Sequence, residues 1–204
     1  LNCDLCSEKS CYQGNDCLDR RDEAREIYAP VDKKLHQVST AIEGSFYMQK
    51  TRVEELIVFC RETGMERLGV AFCVGLSEEA RVLCSYLRNF FSVSSVCCKV
   101  CGVAKEDFEL PKIKDERYEA MCNPLFQARL LEEEKTDLNL LVGLCIGHDI
   151  LFSKHSHAPV TTMIVKDRVL THNPVGALYS RYYKNKISGI TEVDKPDYGK
   201  AAKG

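Results

Sequence analysis

The chain reads as an α/β protein built on a mostly parallel, three-layer, Rossmann-like sheet, preceded by a cysteine knuckle and a helical segment. Three observations carry this. Short apolar runs at 68–73, 93–100, 138–145 and 160–165 alternate with stretches of helical periodicity. The runs at 68–73 and 138–145 are apolar almost throughout, as in strands covered on both faces. Cysteines recur where those runs end.

The elements follow in order. Residues 1–17 hold Cys3, Cys6, Cys11 and Cys17 among loop-forming residues with no core of their own. Four thiolates can replace that core by holding one ion, so 1–17 is expected to be a four-cysteine metal knuckle. A [4Fe–4S] cluster has the same ligand count. Residues 18–50 read as a helical connector that Pro30 divides into a short helix and a longer one. In the longer helix Leu35, Val38, Ile42 and Phe46 form one stripe. The α/β domain is expected over 51–187, followed by a loose tail over 188–204.

Within that domain Thr51 and Glu54 form a capping box, and Gly64 suits the helix stop. Leu68 to Cys73 is a strand. Ser77 is expected to cap the next helix, with Val82, Leu83, Tyr86, Leu87 and Phe90 as its buried stripe. In the second strand, Cys97 and Cys98 point to opposite faces, so one of them faces any given site. Residues 104–118 read as a charged surface excursion. Asn123-Pro124 opens a helix directly after Cys122. The run from Leu138 is expected to extend to Cys145 and deliver it to the carboxyl edge, with His148 in the turn beyond. His172-Asn173-Pro174 repeats the Asn-Pro opening before one last helix through Tyr183.

In a parallel sheet the site lies at the carboxyl ends of the strands, where the strand order reverses. The residues expected there are Cys73, Cys97 or Cys98, Cys122, Cys145, His148 and His172. A four-thiol set of Cys73, Cys98, Cys122 and Cys145 matches a closed zinc site or an iron–sulfur cluster. The competing reading is a thiol-dependent or zinc-dependent enzyme on a small molecule, with Cys145 or Cys122 as nucleophile and His148 as base. A third is a zinc knuckle that docks a protein partner. The sequence leaves these open, and with them whether the chain is an enzyme. Lys154, Lys166 and Arg168 read as ordinary surface charges.

Composition narrows the classes. The net charge of −2 gives no electrostatic case for nucleic acid or an anionic membrane surface. No apolar run approaches the ~18 residues of a membrane span. Twelve cysteines without a signal-peptide pattern suit a reducing compartment, so a cytoplasmic protein is expected. That thiol load also suits an anaerobic cell. The expected partners are a metal ion or cluster, with a small-molecule ligand or a redox partner.

The motifs Phe72-Cys73-Val74-Gly75-Leu76, Val96-Cys97-Cys98-Lys99, Met121-Cys122-Asn123-Pro124, Gly143-Leu144-Cys145-Ile146-Gly147-His148-Asp149, Val165-Lys166-Asp167-Arg168 and His172-Asn173-Pro174 accompany the opening four cysteines. Together they resemble a cysteine-rich family of unknown function from anaerobic bacteria and archaea. The resemblance covers nearly the whole chain. It implies metal binding and no particular reaction. It also implies glycine at the place of Cys101, which sets Cys101 apart from the ligand candidates.

Overall fold

A computed structural model describes residues 1–196, and the last eight positions of the expected tail lie outside the described residues. The chain divides into two compact units between Lys50 and Thr51.

The first unit carries α1 (Arg21–Glu26) and α2 (Pro30–Phe46), with Pro30 at the first turn of α2 as its fixed φ favours. Ile42 is its single buried residue, and Leu35, Val38 and Phe46 are half-buried on the same stripe. Cys3, Cys6, Cys11 and Cys17 are all exposed.

The second unit is a sheet with helices on both faces. In chain order it runs α3 (Arg52–Thr63), β1 (Arg67–Phe72), α4 (Ser77–Leu87), β2 (Ser92–Cys97), α5 (Pro124–Glu133), β3 (Leu138–Val142), α6 (Ile146–His155) and β4 (Val160–Ile164). Two short helices follow, α7 (Gly176–Tyr179) and α8 (Arg181–Ser188). The strands are all parallel, in the order β2-β1-β3-β4.

Side-chain alternation along the strands splits the core in two. Leu68 and Val70 of β1, with Leu138, Leu140 and Val142 of β3, pack against α3 and α4. Ala71 and Leu141 face the other way, onto Ala128 and Leu131 of α5 and Phe152 of α6. This is the three-layer arrangement that the strand–helix alternation predicts.

Local signals account for most boundaries. The Thr51–Glu54 capping box forms, and Gly64 closes α3 in a left-handed conformation. Asn123 accepts from the Phe126 N–H at the start of α5. Several expectations shift. The buried stripe of α4 is Ala80, Leu83, Cys84 and Leu87, while Val82, Tyr86 and Phe90 are exposed. Ser77 is the first residue of α4 and makes no side-chain cap, because a 3-10 turn over Val74–Leu76 leads into the helix. β3 ends at Val142, since Gly143 turns left-handed (φ +64°), and Cys145 becomes the cap residue of α6. Asn173-Pro174 forms a turn, and the helix begins only at Gly176. The last helix is broken at Ser180, whose backbone is extended, so α7 and α8 are separate.

One buried polar cluster pins the sheet to its α5/α6 face. Asn139, 1% exposed, accepts from the Thr136 hydroxyl (2.9 Å) and donates to Ser156 Oγ (2.8 Å). It fits because its β1 neighbour is Gly69: a Cβ there would stand 2.0 Å from Asn139 Oδ1 and 2.9 Å from Leu131 Cδ1. Gly69→Ala is therefore expected to destabilise the fold by roughly 2–4 kcal/mol, the sum of overpacking and a lost buried hydrogen bond. Urea unfolding measures it.

Candidate functional site

The chain leaves β1 toward one edge of the sheet to build β2, then crosses to the other side of β1 to build β3. The strand order therefore reverses between β1 and β3, which opens a crevice beyond their carboxyl ends. Cys73 follows β1 and Cys145 follows the turn after β3. Cys98 follows β2, and Cys122 lies one residue before the cap of α5.

Backbone hydrogen bonds bring these segments side by side. Cys73 N–H donates to the Val142 carbonyl at 3.0 Å, and Cys98 N–H to the Phe72 carbonyl at 2.8 Å. Asn123 N–H donates to the Cys98 carbonyl at 2.8 Å. Beneath them Gln127, fully buried on α5, donates from Nε2 to the carbonyls of Phe72 (3.3 Å) and Val96 (2.7 Å). One amide thus ties the ends of β1 and β2.

Cys98 is the member of the Cys97–Cys98 pair that turns into this region. It is 2% exposed and packs with Cys73, whereas Cys97 is only half-buried. The sulfurs of Cys98 and Cys122 lie 4.0 Å apart, and Cys98 is also hydrogen-bonded to Cys73. The Val74 N–H points at Cys98 Sγ (3.4 Å), and the Gly75 N–H points at the Cys73 thiol. These turn amides would favour an anion in such a fold. Here they hold sulfur.

Positive charge surrounds the thiols. Lys166 Nζ stands 2.6 Å from Cys73 Sγ, and the Arg168 guanidinium donates to Cys145 Sγ at 3.2 Å. Lys99 lies near Cys122, and His148 is hydrogen-bonded to Cys122. Lys99, Lys166 and Arg168 make no ion pair with a carboxylate among the described residues.

The consequence is a divided set of protonation states. Cys98 keeps its proton, its pKa pushed far up by sharing that proton with Cys122 and then Cys73. The Cys98 hydrogen bond, joined by Lys166, lowers Cys73 to about 5. The Cys98 hydrogen bond, joined by His148, lowers Cys122 to about 3. The centre as described is two thiolates around one thiol. Cys60 and Cys84 behave oppositely. Both are buried in the core, and burial raises their thiols, Cys60 to about 12.

Asp149, in the first turn of α6, is held differently. Its Oδ1 is buried with no hydrogen-bond partner, and burial pushes the carboxyl up to about 6. A carboxyl raised above its ordinary value of ~3.9 contributes stability that is present below that value and lost as pH rises through ~6. Asp149→Asn is therefore expected to match the parent chain near pH 4 and exceed it by about 1 kcal/mol at pH 7.5. Solvent that reaches this half-buried group keeps the effect small. Thermal unfolding at the two pH values checks the sign.

The structure gathers Cys73, Cys98 and Cys122 directly, with Cys145 joined to them through Arg168. It pairs His148 with Cys122 rather than Cys145. His172 stays within its own loop, where its Nδ1 accepts from the Asp167 N–H at 3.1 Å. Lys166 and Arg168 are not idle surface charges, because they sit on sulfur. Their position two and four residues beyond β4 was the available signal, since that is the carboxyl edge. Lys99, two residues beyond β2, carried the same signal, whereas Asp149 had none. Cys101 is exposed with φ +65°, a backbone that favours glycine, which agrees with the glycine implied at its position.

In donor type the site suits a soft metal, and the 4.0 Å sulfur pair is close to the edge of a zinc–thiolate tetrahedron, about 3.8 Å for Zn–S bonds of about 2.3 Å. Among the described residues, no group of three His, Cys, Asp or Glu side chains stands in a geometry that would hold a metal ion. In the first unit, the Lys9 N–H donates to Cys6 Sγ at 3.4 Å and Cys11 Sγ lies 3.8 Å from the Lys9 carbonyl. Among the described residues no helix is long and apolar enough to cross a membrane.

Residues 13–163 match the model of a family described as a protein of unknown function (DUF1847), and the chain belongs to that family. It is 50% identical over 191 residues to an uncharacterized protein of the archaeon Methanocaldococcus jannaschii, MJ0455, covering 92% of this chain and 98% of the relative. No solved structure matches. The match to the family begins after Cys11 and ends before Lys166.

Proposed function

We propose that this family member is a metal-binding protein that holds zinc or an iron–sulfur cluster on Cys73, Cys98, Cys122 and Cys145. The observation that carries the reading is convergence: Cys73, Cys98 and Cys122, from three separate segments, lie together at the carboxyl ends of the strands, and Arg168 links Cys145 of a fourth segment to them. Core cysteines that merely pack, such as Cys60 and Cys84, have thiols raised by burial, and among the described residues no lysine or arginine donates a hydrogen bond to their sulfur. In the crevice, Cys73 and Cys145 have Lys166 and Arg168 on their sulfurs instead.

Charge supports the same reading. Four thiolates around a divalent ion carry about −2, and so does a four-thiolate [4Fe–4S] centre in its usual oxidised form. Lys99, Lys166 and Arg168 would offset that charge, and no carboxylate among the described residues competes for them. Outer partners of this kind orient ligands and tune the metal. Cys3, Cys6, Cys11 and Cys17 form the second proposed site, in a segment where every cysteine is exposed and no residue is buried. A metal there supplies the core that the segment lacks.

Cys145→Ser in the full chain tests the crevice site. The variant is expected to lose the metal of that centre and keep that of the first unit. Unchanged metal content would remove Cys145 from the ligand set. One contact favours a second reading, a thiol-dependent enzyme acting on a small molecule: Cys122 is hydrogen-bonded to His148, the pairing that a nucleophile and its base require.

A further inference from the structure

We propose that the reduced, metal-free centre is also a thiol–disulfide exchange site, in which Cys122 attacks a small anionic disulfide and Cys98 resolves it. This activity goes beyond the metal reading and does not depend on it.

The two sulfurs are already close. Cys98 Sγ and Cys122 Sγ are 4.0 Å apart, and a disulfide needs about 2.05 Å. The backbone already runs alongside, since the Asn123 N–H donates to the Cys98 carbonyl at 2.8 Å. Bond formation requires the two sulfurs to approach by about 2 Å.

Access to the two sulfurs is asymmetric. Cys122 is half-buried at the start of α5, whereas Cys98 is 2% exposed beneath it. A small molecule meets Cys122 first, and Cys98 reaches only the sulfur that Cys122 carries. The other thiols of the crevice are placed less well for this chemistry. Cys73 is 8% exposed and carries Lys166 on its sulfur, and Cys145 carries Arg168.

Charge at the pair selects the disulfide. Lys99 and Arg168 act on Cys122 electrostatically, with no carboxylate partner among the described residues. They favour a disulfide that bears carboxylates over a neutral or cationic one.

The steps balance. The Cys122 thiolate attacks one sulfur of R–S–S–R, a Cys122–S–S–R bond forms, and the first R–S⁻ leaves. Cys98 then attacks the Cys122 sulfur. The Cys98–Cys122 bond forms, the second R–S⁻ leaves, and it takes the proton that Cys98 gives up. Two protein thiols are oxidised and one small disulfide is reduced to two thiols.

The test uses the full chain, reduced and chelator-treated, with glutathione disulfide as the probe and mass-spectrometric mapping of the cysteines. The expected product is a peptide pair linked through Cys98 and Cys122. Cys98→Ser should lose that link completely and accumulate the mixed disulfide at Cys122. Cys122→Ser should leave Cys98 unmodified, which keeps the test sharp if the Cys98 variant fails to fold. A link between Cys98 and Cys73, or free Cys98 and Cys122 after exposed cysteines such as Cys101 have reacted, would overturn the proposal. Metal analysis of the reduced chain before chelation separates the two readings. A chain without metal that forms the link sinks only the metal site, and a metal-bearing chain that never forms it sinks only the exchange activity.

Discussion

Replacing Gly143 with alanine is expected to destabilise the second unit by roughly 2–6 kcal/mol and to disorganise the thiol centre. Two costs add. Gly143 has φ +64°, and a residue with a Cβ held there costs about 1–3 kcal/mol. A Cβ would also stand 1.9 Å from Leu76 Cδ1, in a core where Leu76 is 2% exposed. Overpacking of that kind costs about 1–3 kcal/mol. The clash bears directly on function, because Leu76 belongs to the turn that follows Cys73 and Gly143 lies two residues before Cys145. Any relief of the contact shifts one cysteine loop against the other. Urea unfolding reads the loss. A variant as stable as the parent would show that the β3–α6 turn is not packed as described.

The second large effect is the pH profile of Cys122. An ordinary thiol with pKa ~8.5 is alkylated about a hundred times faster at pH 7 than at pH 5, in step with its thiolate fraction. Cys122, lowered to about 3 by Cys98 and then His148, is thiolate across that whole range. Its rate is therefore expected to change less than about twofold between pH 5 and pH 7. The absolute rate is less telling. At pH 5 the thiolate fraction favours Cys122 by about 3000-fold, while the weaker nucleophilicity of a low-pKa sulfur costs about 300-fold over ~5.5 units. The two leave roughly a tenfold advantage at pH 5 and a tenfold deficit at pH 7. His148→Ala should raise the Cys122 pKa and restore part of the slope. Iodoacetamide labelling of the reduced, metal-free chain, quantified at Cys122 by mass spectrometry, measures both. A hundredfold rise for parent Cys122 would contradict the paired thiol–thiolate arrangement.

The fold was readable where local chemistry decides it. The Thr51–Glu54 box, the Asn123 cap, Pro30 and Gly64 each act through their own backbone, and each stands as the sequence predicts. Four runs separated by helices imply a covered parallel sheet, and Cys73, Cys98 and Cys145 follow because they lie at the ends of those runs, whereas Cys122 is placed by the Asn123-Pro124 helix start. The departures have long-range or backbone causes. Gly143 ends β3 three residues before Cys145, so that cysteine caps a helix instead of ending a strand. No periodicity reveals that turn, because Leu144 is as apolar as the strand residues before it. Asn173-Pro174 carries the same local signal as Asn123-Pro124, yet Thr171 and His172 before it adopt left-handed backbones and the helix starts later. The cations were hardest to read. Lys166 reaches a cysteine 93 positions away and Arg168 one 23 positions away, and only the sheet order brings them there.

The central claim is that the crevice cysteines hold a metal. The most direct measurement is zinc, iron and acid-labile sulfide per chain on protein purified without oxygen, with Cys3, Cys6, Cys11 and Cys17 all replaced by serine. That variant removes the first proposed site and leaves the crevice intact. The account predicts about one zinc per chain with no sulfide, or about four irons with four sulfides. A folded variant that contains neither, and takes up neither on reconstitution, would contradict it.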